Sequence, residues 1–380
     1  MNVGVIGYGG RMQRFTDRIR SMAPDFRIAA ITDPRQDEIA RQLAGTGLQP
    51  AAFHEAPEPM LDAHKLDAVM IGTRCSLHTE MACRVMAHAP GLPLLVEKPV
   101  ATTMSDLLRL KAAFEASPRP VYVSFPLRMT PHVQLVKQII DSGALGTIEH
   151  VQAVNNVTYG RTYFQTWFRD EEETGGLFLQ KATHDIDYIN YLLGLRPTHV
   201  CAMTSKQVFR GDKPAGLYCY ACDERETCLE SDVNAPMAAH HKAKMCCFAV
   251  DTGNEDSGSA IIRYESGMHV AFTQNFFVKG KLHAREARLM GYKGTVEFDF
   301  YTNRVTVHHH HSGKIEVHEI KPVRHHFGGD DLLIPNLLDT FAGRAQPECP
   351  LDAGLMSALI CLKAKESAAT DTLQKLEWKE

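Results

Sequence analysis

The sequence predicts an α/β protein: a doubly wound parallel sheet over residues 1–125, then an α+β region over 126–380 with a large, open, mostly antiparallel sheet. Three observations predict it. Short apolar runs alternate with helical patterns up to Phe125. A glycine cluster, Gly7-Tyr8-Gly9-Gly10, follows the first of these runs. Beyond residue 250, strand follows strand with only short turns between them. Alternating strands and helices imply parallel strands with right-handed crossovers, whereas consecutive strands imply antiparallel pairing.

In the first region Val3–Ile6, Ile28–Thr32, Ala68–Gly72, Leu94–Val96 and Val121–Phe125 read as buried strands. Arg11–Met22, Pro34–Ala44, Leu77–Ala89 and the segment 104–117 carry apolar residues at helical spacing. In the second region the pattern predicts helices over Pro131–Ser142 and Lys181–Leu193, each stopped by a glycine, with the strand Ile148–Val157 between them. Strands are expected at Ser259–Tyr264, Met268–Phe277, Ala287–Gly291, Thr295–Phe298, Val305–His309 and Ile315–Ile320. Helices Leu332–Gly343 and Ala353–Ala369 follow. Residues 209–256, rich in Cys, Gly, Pro and charge, read as an irregular insertion. Glu171–Glu173 reads as a solvated loop and His308–His311 as an exposed turn.

With 380 residues the chain is long for a single core, so two domains are expected. A net charge of −4 gives no electrostatic case for nucleic acid or an anionic membrane surface. No stretch reaches the roughly 20 apolar residues of a membrane span. The first residues enter a strand directly, without a signal-peptide pattern, so a cytoplasmic location is expected and the ten cysteines are expected as thiols.

The glycine cluster gains meaning from its surroundings. In a dinucleotide-binding (Rossmann) fold the first glycine permits a tight turn. The second lets a pyrophosphate approach the N-terminus of the following helix, where free N–H groups favour anions. Here those positions are Gly7 and Gly9, with Tyr8, Gly10 and Arg11 in the same turn, and the third glycine position is Met12. Asp33 stands 21 residues beyond Met12, at the end of the second strand. A carboxylate there accepts hydrogen bonds from ribose hydroxyls and repels a 2′-phosphate, so NAD is the expected cofactor. Arg35 keeps NADP as a secondary reading, because its guanidinium can pair with that phosphate.

Glu97-Lys98-Pro99 follows the strand Leu94–Val96, and Ile71-Gly72-Thr73 stands upstream, with His78 five residues after Thr73. Together with Phe125 to Arg128, Gly175-Gly176, His184 to Asp187 and His326 to Asp330, these motifs resemble the Gfo/Idh/MocA oxidoreductases over nearly the whole chain. The resemblance implies cofactor contacts at Thr73, Arg74, His78, Glu97 and Lys98. It implies catalysis by Lys98 and His184, with Lys181 assisting, and substrate contacts at Arg128, Tyr163, Trp167, Arg169, Lys181, His184 and His326. Many inositol dehydrogenases of the family carry an Asp four residues before the His, where this chain has Gln180.

Oxidising a secondary alcohol removes a hydride from carbon and a proton from oxygen, and a positioned acid–base group contributes about 10²–10⁴-fold. Lys98 and His184 are suited to that work. The expected reaction is hydride transfer between NAD and a hydroxyl of a sugar, sugar derivative or cyclic polyol. Glycoside cleavage through transient ring oxidation and elimination is an alternative, and a non-catalytic NAD-binding sensor is another. On the helix Lys181–Leu193, Ala182, Ile186, Ile189 and Leu193 form an apolar stripe, while Lys181, His184, Tyr188 and Tyr191 share another face. Trp167 suits either core packing or stacking on a sugar face. Cys219, Cys222, Cys228 and Cys246 offer a zinc reading, set against free thiols packing a loop. An open sheet face with a broad apolar surface would support a homodimer or homotetramer.

Overall fold

A computed structural model describes residues 1–379 except 117, 235–243 and 324–325. The C-terminal end of the helix expected over 104–117 and part of the insertion expected over 209–256 therefore lie outside the described residues. The chain divides into two compact units. One contains Met1–Val133, Pro322–Leu359 and Trp378–Glu380; the other contains Gln134–Lys321 and Ile360–Glu377.

The first unit holds a parallel sheet of six strands: β1 Asn2–Ile6, β2 Arg27–Thr32, β3 Ala52–His54, β4 Ala68–Ile71, β5 Leu94–Val96 and β6 Val121–Val123. Their spatial order is β3-β2-β1-β4-β5-β6. The chain winds outwards one way from β1 through β2 to β3, then returns to place β4 on the other side of β1. Ligands bind such sheets at the carboxyl ends of the strands, beside the point where the order reverses. The four central strands are buried at nearly every position, as expected of strands covered on both faces. Helices α1 Gly10–Met22, α2 Gln36–Leu43, α3 Pro57–Ala63, α4 His78–His88 and α5 Met104–Ala116 connect them. Two of these elements escape sequence reading. Strand β3 has three half-buried residues and no distinct period, and α3 begins at Pro57, inside a Pro-Glu-Pro run that resembles a loop. Proline is tolerated in a helix's first turn because the N–H it lacks has no intrahelical partner there.

The second unit is built on β7 Ile148–Asn156, β8 Pro197–Ser205, β9 Ser257–Tyr264, β10 His269–Asn275, β11 Ala284–Gly291, β12 Gly294–Asp299, β13 Arg304–His309, β14 Ile315–Glu319 and β15 Gln374–Lys375. They form one sheet in the order β14-β13-β12-β11-β7-β10-β9-β8-β15. All pairings are antiparallel except that of β7 with β10. Residues alternate in and out along β9, β10 and β11, and the inward row (Ala260, Ile262, Val270, Phe272, Ala287, Leu289) is buried. The opposite face differs from the apolar surface expected. It presents Gln152, Arg263, Glu286 and Arg288 beside Ile261, so charge as well as hydrocarbon meets solvent there.

Helix Thr183–Leu193 is buried nearly all round, not amphipathic as its pattern suggests. Ala182, Ile186 and Ile189 are buried, but so are His184, Asp185, Asp187 and Tyr188. Asp185 survives burial because partners await it. Arg285 of β11 donates from Nε and Nη2 to the two oxygens of Asp185 at 2.8 and 2.7 Å, and Asn155 of β7 donates to the same carboxylate at 2.9 Å. The helix is thereby keyed to the sheet by a fully enclosed ion pair.

Candidate active site

Gly7 follows β1 with φ +79°, and a Cβ there would lie 2.6 Å from the backbone of Thr73. Only glycine fits. A Cβ at Gly9 would meet the Gly72 carbonyl at 4.0 Å and one at Gly10 would meet Arg14 at 3.5 Å, both ordinary contacts, and no side chain caps α1. The turn thus exposes a helix N-terminus suited to an anionic pyrophosphate. Met12 replaces the third glycine of the fingerprint, yet the helix still packs closely on the sheet. Its Cε lies 2.6 Å from where a Cβ on Gly72 would be, so Gly72 supplies the room that Met12 takes.

Asp33 is buried at the end of β2. Its Oδ2 accepts from the Tyr8 amide at 2.8 Å and from Arg35 Nη2 at 3.0 Å, and its Oδ1 accepts from the Arg35 amide and Nε. Burial pushes the carboxyl pKa up, but the Arg35 side chain and the amides of Arg35 and Tyr8 outweigh it, and the net pKa is lowered. Arg35 is therefore engaged by Asp33, which weakens its claim on a 2′-phosphate. The geometry of this turn fits an NAD-type dinucleotide.

At the end of β5, Glu97 is buried and Lys98 is partly exposed. The peptide between Lys98 and Pro99 is cis. His78 reaches the Pro99 carbonyl through Nδ1 at 2.7 Å, and the Thr79 hydroxyl donates to Val100 at 2.9 Å. Burial lowers the His78 pKa, opposed by its bonds to the carbonyls of Pro99 and Thr73. His78 thus clamps the Lys98 turn from inside. Thr73 is half-exposed and Arg74 exposed in the neighbouring loop after β4.

Arg11 points its guanidinium into the protein. It donates to Glu97 at 3.2 Å, to both oxygens of Asp330 at 2.6 and 2.9 Å, and to the Ser124 hydroxyl at 3.3 Å. His326 meets Asp330 through Nδ1 at 2.8 Å. Although burial favours the neutral acid, His326 and Arg11 hold the Asp330 carboxyl well below the usual range. The chain His326–Asp330–Arg11–Glu97 therefore braces the residue next to Lys98. Gly329 has to be glycine, since a Cβ there would overlap the Pro126 carbonyl oxygen at 1.8 Å. Arg128 donates to the Glu348 carbonyl at 2.9 Å.

In the second unit, Gly175 and Gly176 turn the chain with φ +76° and +84° into a single helical turn, Leu177–Gln180. Lys181 follows it, just before the helix bearing His184; both side chains are buried, at 6% and 7% exposure. Lys181 donates to the hydroxyl of Tyr159, and its ammonium stands 4.8 Å from the Tyr159 ring and 5.9 Å from that of Tyr163. Desolvation raises the Tyr159 pKa, but the charges of Lys181 and Arg285 and the Lys181 hydrogen bond outweigh it, so the phenol is more acidic than usual. Tyr159 is itself exposed. Sequence reading missed it because a tyrosine in a loop carries no pattern; only the Lys181 contact marks it.

Other expected substrate residues have structural partners. Tyr163 is buried in an apolar cluster with Val157, Phe164, Leu177, Phe209, Cys247 and Phe276. Trp167 is half-buried, stacked on Phe168 with ring centroids 3.9 Å apart. Arg169 is buried and pairs with Asp251. Glu171–Thr174 forms a short helix capped by Asp170, not the expected loop.

These features define an NAD-binding oxidoreductase. Residues 1–125 match the model of the oxidoreductase family with an NAD-binding Rossmann fold, and 133–297 match the GFO/IDH/MocA C-terminal domain. The chain belongs to the Gfo/Idh/MocA family. It is 24% identical to YteT of Bacillus subtilis over 327 residues, covering 76% of each chain. It is 28% identical to inositol 2-dehydrogenase 2 of Saccharopolyspora erythraea over 208 residues, 54% of this chain and 58% of that one. The fold is shared with levoglucosan dehydrogenase in complex with NADH and levoglucosan, at a TM-score of 0.79 and 18% identity over 99% of both chains. No helix among the described residues is long and apolar enough to cross a membrane.

Proposed function

We propose that this protein transfers a hydride between NAD and a secondary hydroxyl of a sugar, a sugar derivative or a cyclic polyol. The observation that carries the reading is Lys98, partly exposed at the carboxyl end of a central strand and fixed by the His78–Pro99 clamp in the NAD-binding unit. The relatives named inositol 2-dehydrogenase and levoglucosan dehydrogenase support a polyhydroxylated substrate.

NAD supplies the hydride acceptor. The chain's own residues manage the oxygen. Lys98 binds the reacting hydroxyl and stabilises the negative charge that grows there. His184 acts as acid or base for the proton. Lys181 makes the Tyr159 phenol more acidic than usual, so the phenol is a further proton acceptor. Thr73, Arg74 and Glu97 flank the cofactor at the strand ends, and Arg128, Trp167 and His326 are assigned to the substrate side; Arg169, buried against Asp251, is not. The same reading includes a cytoplasmic homodimer or homotetramer, joined through the open face of the large sheet; light scattering at micromolar concentration checks the assembly.

Incubation with NAD and a panel of sugars and cyclitols tests the reaction, with NADH absorbance as readout. The expected result is stoichiometric NADH and ketone with at least one cyclic polyol or sugar. Bound NAD that never accumulates as NADH, alongside release of an aglycone, would sink it.

A further inference from the structure

The segment expected to be an irregular insertion gathers five cysteines at one point. Cys219, Cys222, Cys228, Cys246 and Cys247 line a single cavity of about 20 Å³ together with Gln165, Arg225, Glu230 and Ser231. That volume holds one water-sized occupant. All ten cysteines of the chain are free thiols.

Backbone pairing makes the meeting specific. The Cys219 amide donates to the Lys244 carbonyl at 2.9 Å, and the Cys246 amide to Leu217 at 2.7 Å. Two strands of loop thus place Cys219 and Cys246 side by side. Cys219-x-x-Cys222 is a single tight turn, closed by the Cys222 amide on the Cys219 carbonyl at 3.1 Å. Cys228 closes the next turn on Glu224 at 2.8 Å. Cys247 lines the same cavity but is also buried in the apolar cluster that holds Phe164, Phe209 and Phe276, so it is not counted among the ligands. Four thiols remain, which is the full ligand set of a structural tetrahedral site.

Charged groups of both signs surround the thiols, and Glu230 and Arg225 line the same cavity. Arg169 is buried beside Cys246; one nitrogen pairs with Asp251, while Nε and Nη1 are buried without a partner. Lys244, also buried, stands near Cys219. Four thiolates around a dication carry a net charge of two minus, which these cations offset.

We propose that Cys219, Cys222, Cys228 and Cys246 bind one Zn²⁺ ion that staples this insertion to the second unit. Binding forms four zinc–sulfur bonds and releases the thiol protons, with no change in oxidation state. Among the described residues no set of His, Cys, Asp or Glu side chains already holds a metal-binding arrangement. Zinc binding therefore requires the turns bearing Cys222 and Cys228 to draw in towards Cys219 and Cys246, which backbone bonds hold side by side. Metal binding and local folding are then linked.

The test uses the full-length protein purified under reducing conditions without chelator. Mass spectrometry of the metal should find about one zinc per chain. Cys222→Ser and Cys246→Ser should each reduce zinc content at least about tenfold, while Cys201→Ser keeps it. Should the variants fold poorly, titrating wild-type thiols with a mercurial should release one zinc as four thiols react. Cobalt substitution should give the absorption of a tetrahedral thiolate site. Protein that contains no zinc and takes up none when Zn²⁺ is added overturns the proposal. So does zinc retained by the folded Cys222→Ser/Cys246→Ser double variant, or a mass that shows these thiols joined as disulfides.

Discussion

The ammonium of Lys181 rests on the phenol of Tyr159, donating a hydrogen bond to its oxygen while standing 4.8 Å from the ring centre. Two residues 22 positions apart thereby form an acid–base pair that neither forms alone. An ammonium beside the hydroxyl favours phenolate over phenol.

If Tyr159 accepts the substrate proton, Tyr159→Phe should lower kcat by about 10²–10⁴-fold while changing KM little. The pH profile offers a sharper check. In alcohol oxidation the active form is the phenolate, present above the phenol pKa, and the Lys181 charge lowers that pKa. Lys181→Met removes the charge, so the phenol pKa rises and the ascending limb of the rate profile should move to higher pH. A limb that stays in place assigns the proton to another group.

Lys98→Met should abolish turnover, by at least about 10²-fold, with NADH affinity within a few-fold of the parent. Fluorescence titration of NADH separates the two effects. A comparable loss of NADH affinity would mean that Lys98 serves binding and not the reacting hydroxyl.

Asp33 and Arg35 set the choice of cofactor through their mutual ion pair. In Asp33→Ala the guanidinium is released and the carboxylate that repels a 2′-phosphate is gone. The ratio of kcat/KM for NADP to that for NAD should rise about 10- to 100-fold, as expected for one charge-assisted hydrogen bond. Steady-state rates with both cofactors measure it.

The Asp185–Arg285 pair is enclosed, with side-chain exposures of 0% and 6%. Removing one partner strands the other's charge in the interior. Asp185→Ala should destabilise the protein by about 3–5 kcal/mol in chemical denaturation, whereas a double replacement by hydrocarbon side chains should recover much of that loss. A single-variant cost below about 1 kcal/mol would mean that water reaches Arg285.

The glycine turn, the parallel sheet and the Lys98 strand end are legible in the sequence because each follows from local rules. A positive φ needs Gly7, strands buried on both faces read as apolar runs, and Asp33 falls at a fixed distance along the fold. Helix Thr183–Leu193 is legible as a helix, but not as a buried one. Its polar residues suggest a solvated face, and only Arg285 and Asn155, 100 and 30 residues away from Asp185, make that carboxylate fit for the interior. Met12 looks like a defect in the fingerprint until Gly72 is seen beside it.

The sequence by itself determined the class of fold and the dinucleotide turn, because periodicity and backbone permissiveness act between neighbours along the chain, while its motifs carried the resemblance to the family. Tertiary structure decided which polar groups keep a working charge. It turned Arg11 onto Glu97 and Asp330, acidified Tyr159 with Lys181, and drew four distant thiols towards one small cavity. Such outcomes depend on desolvation and on partners far apart in sequence, and the energy of a buried charge is fixed by what surrounds it in space.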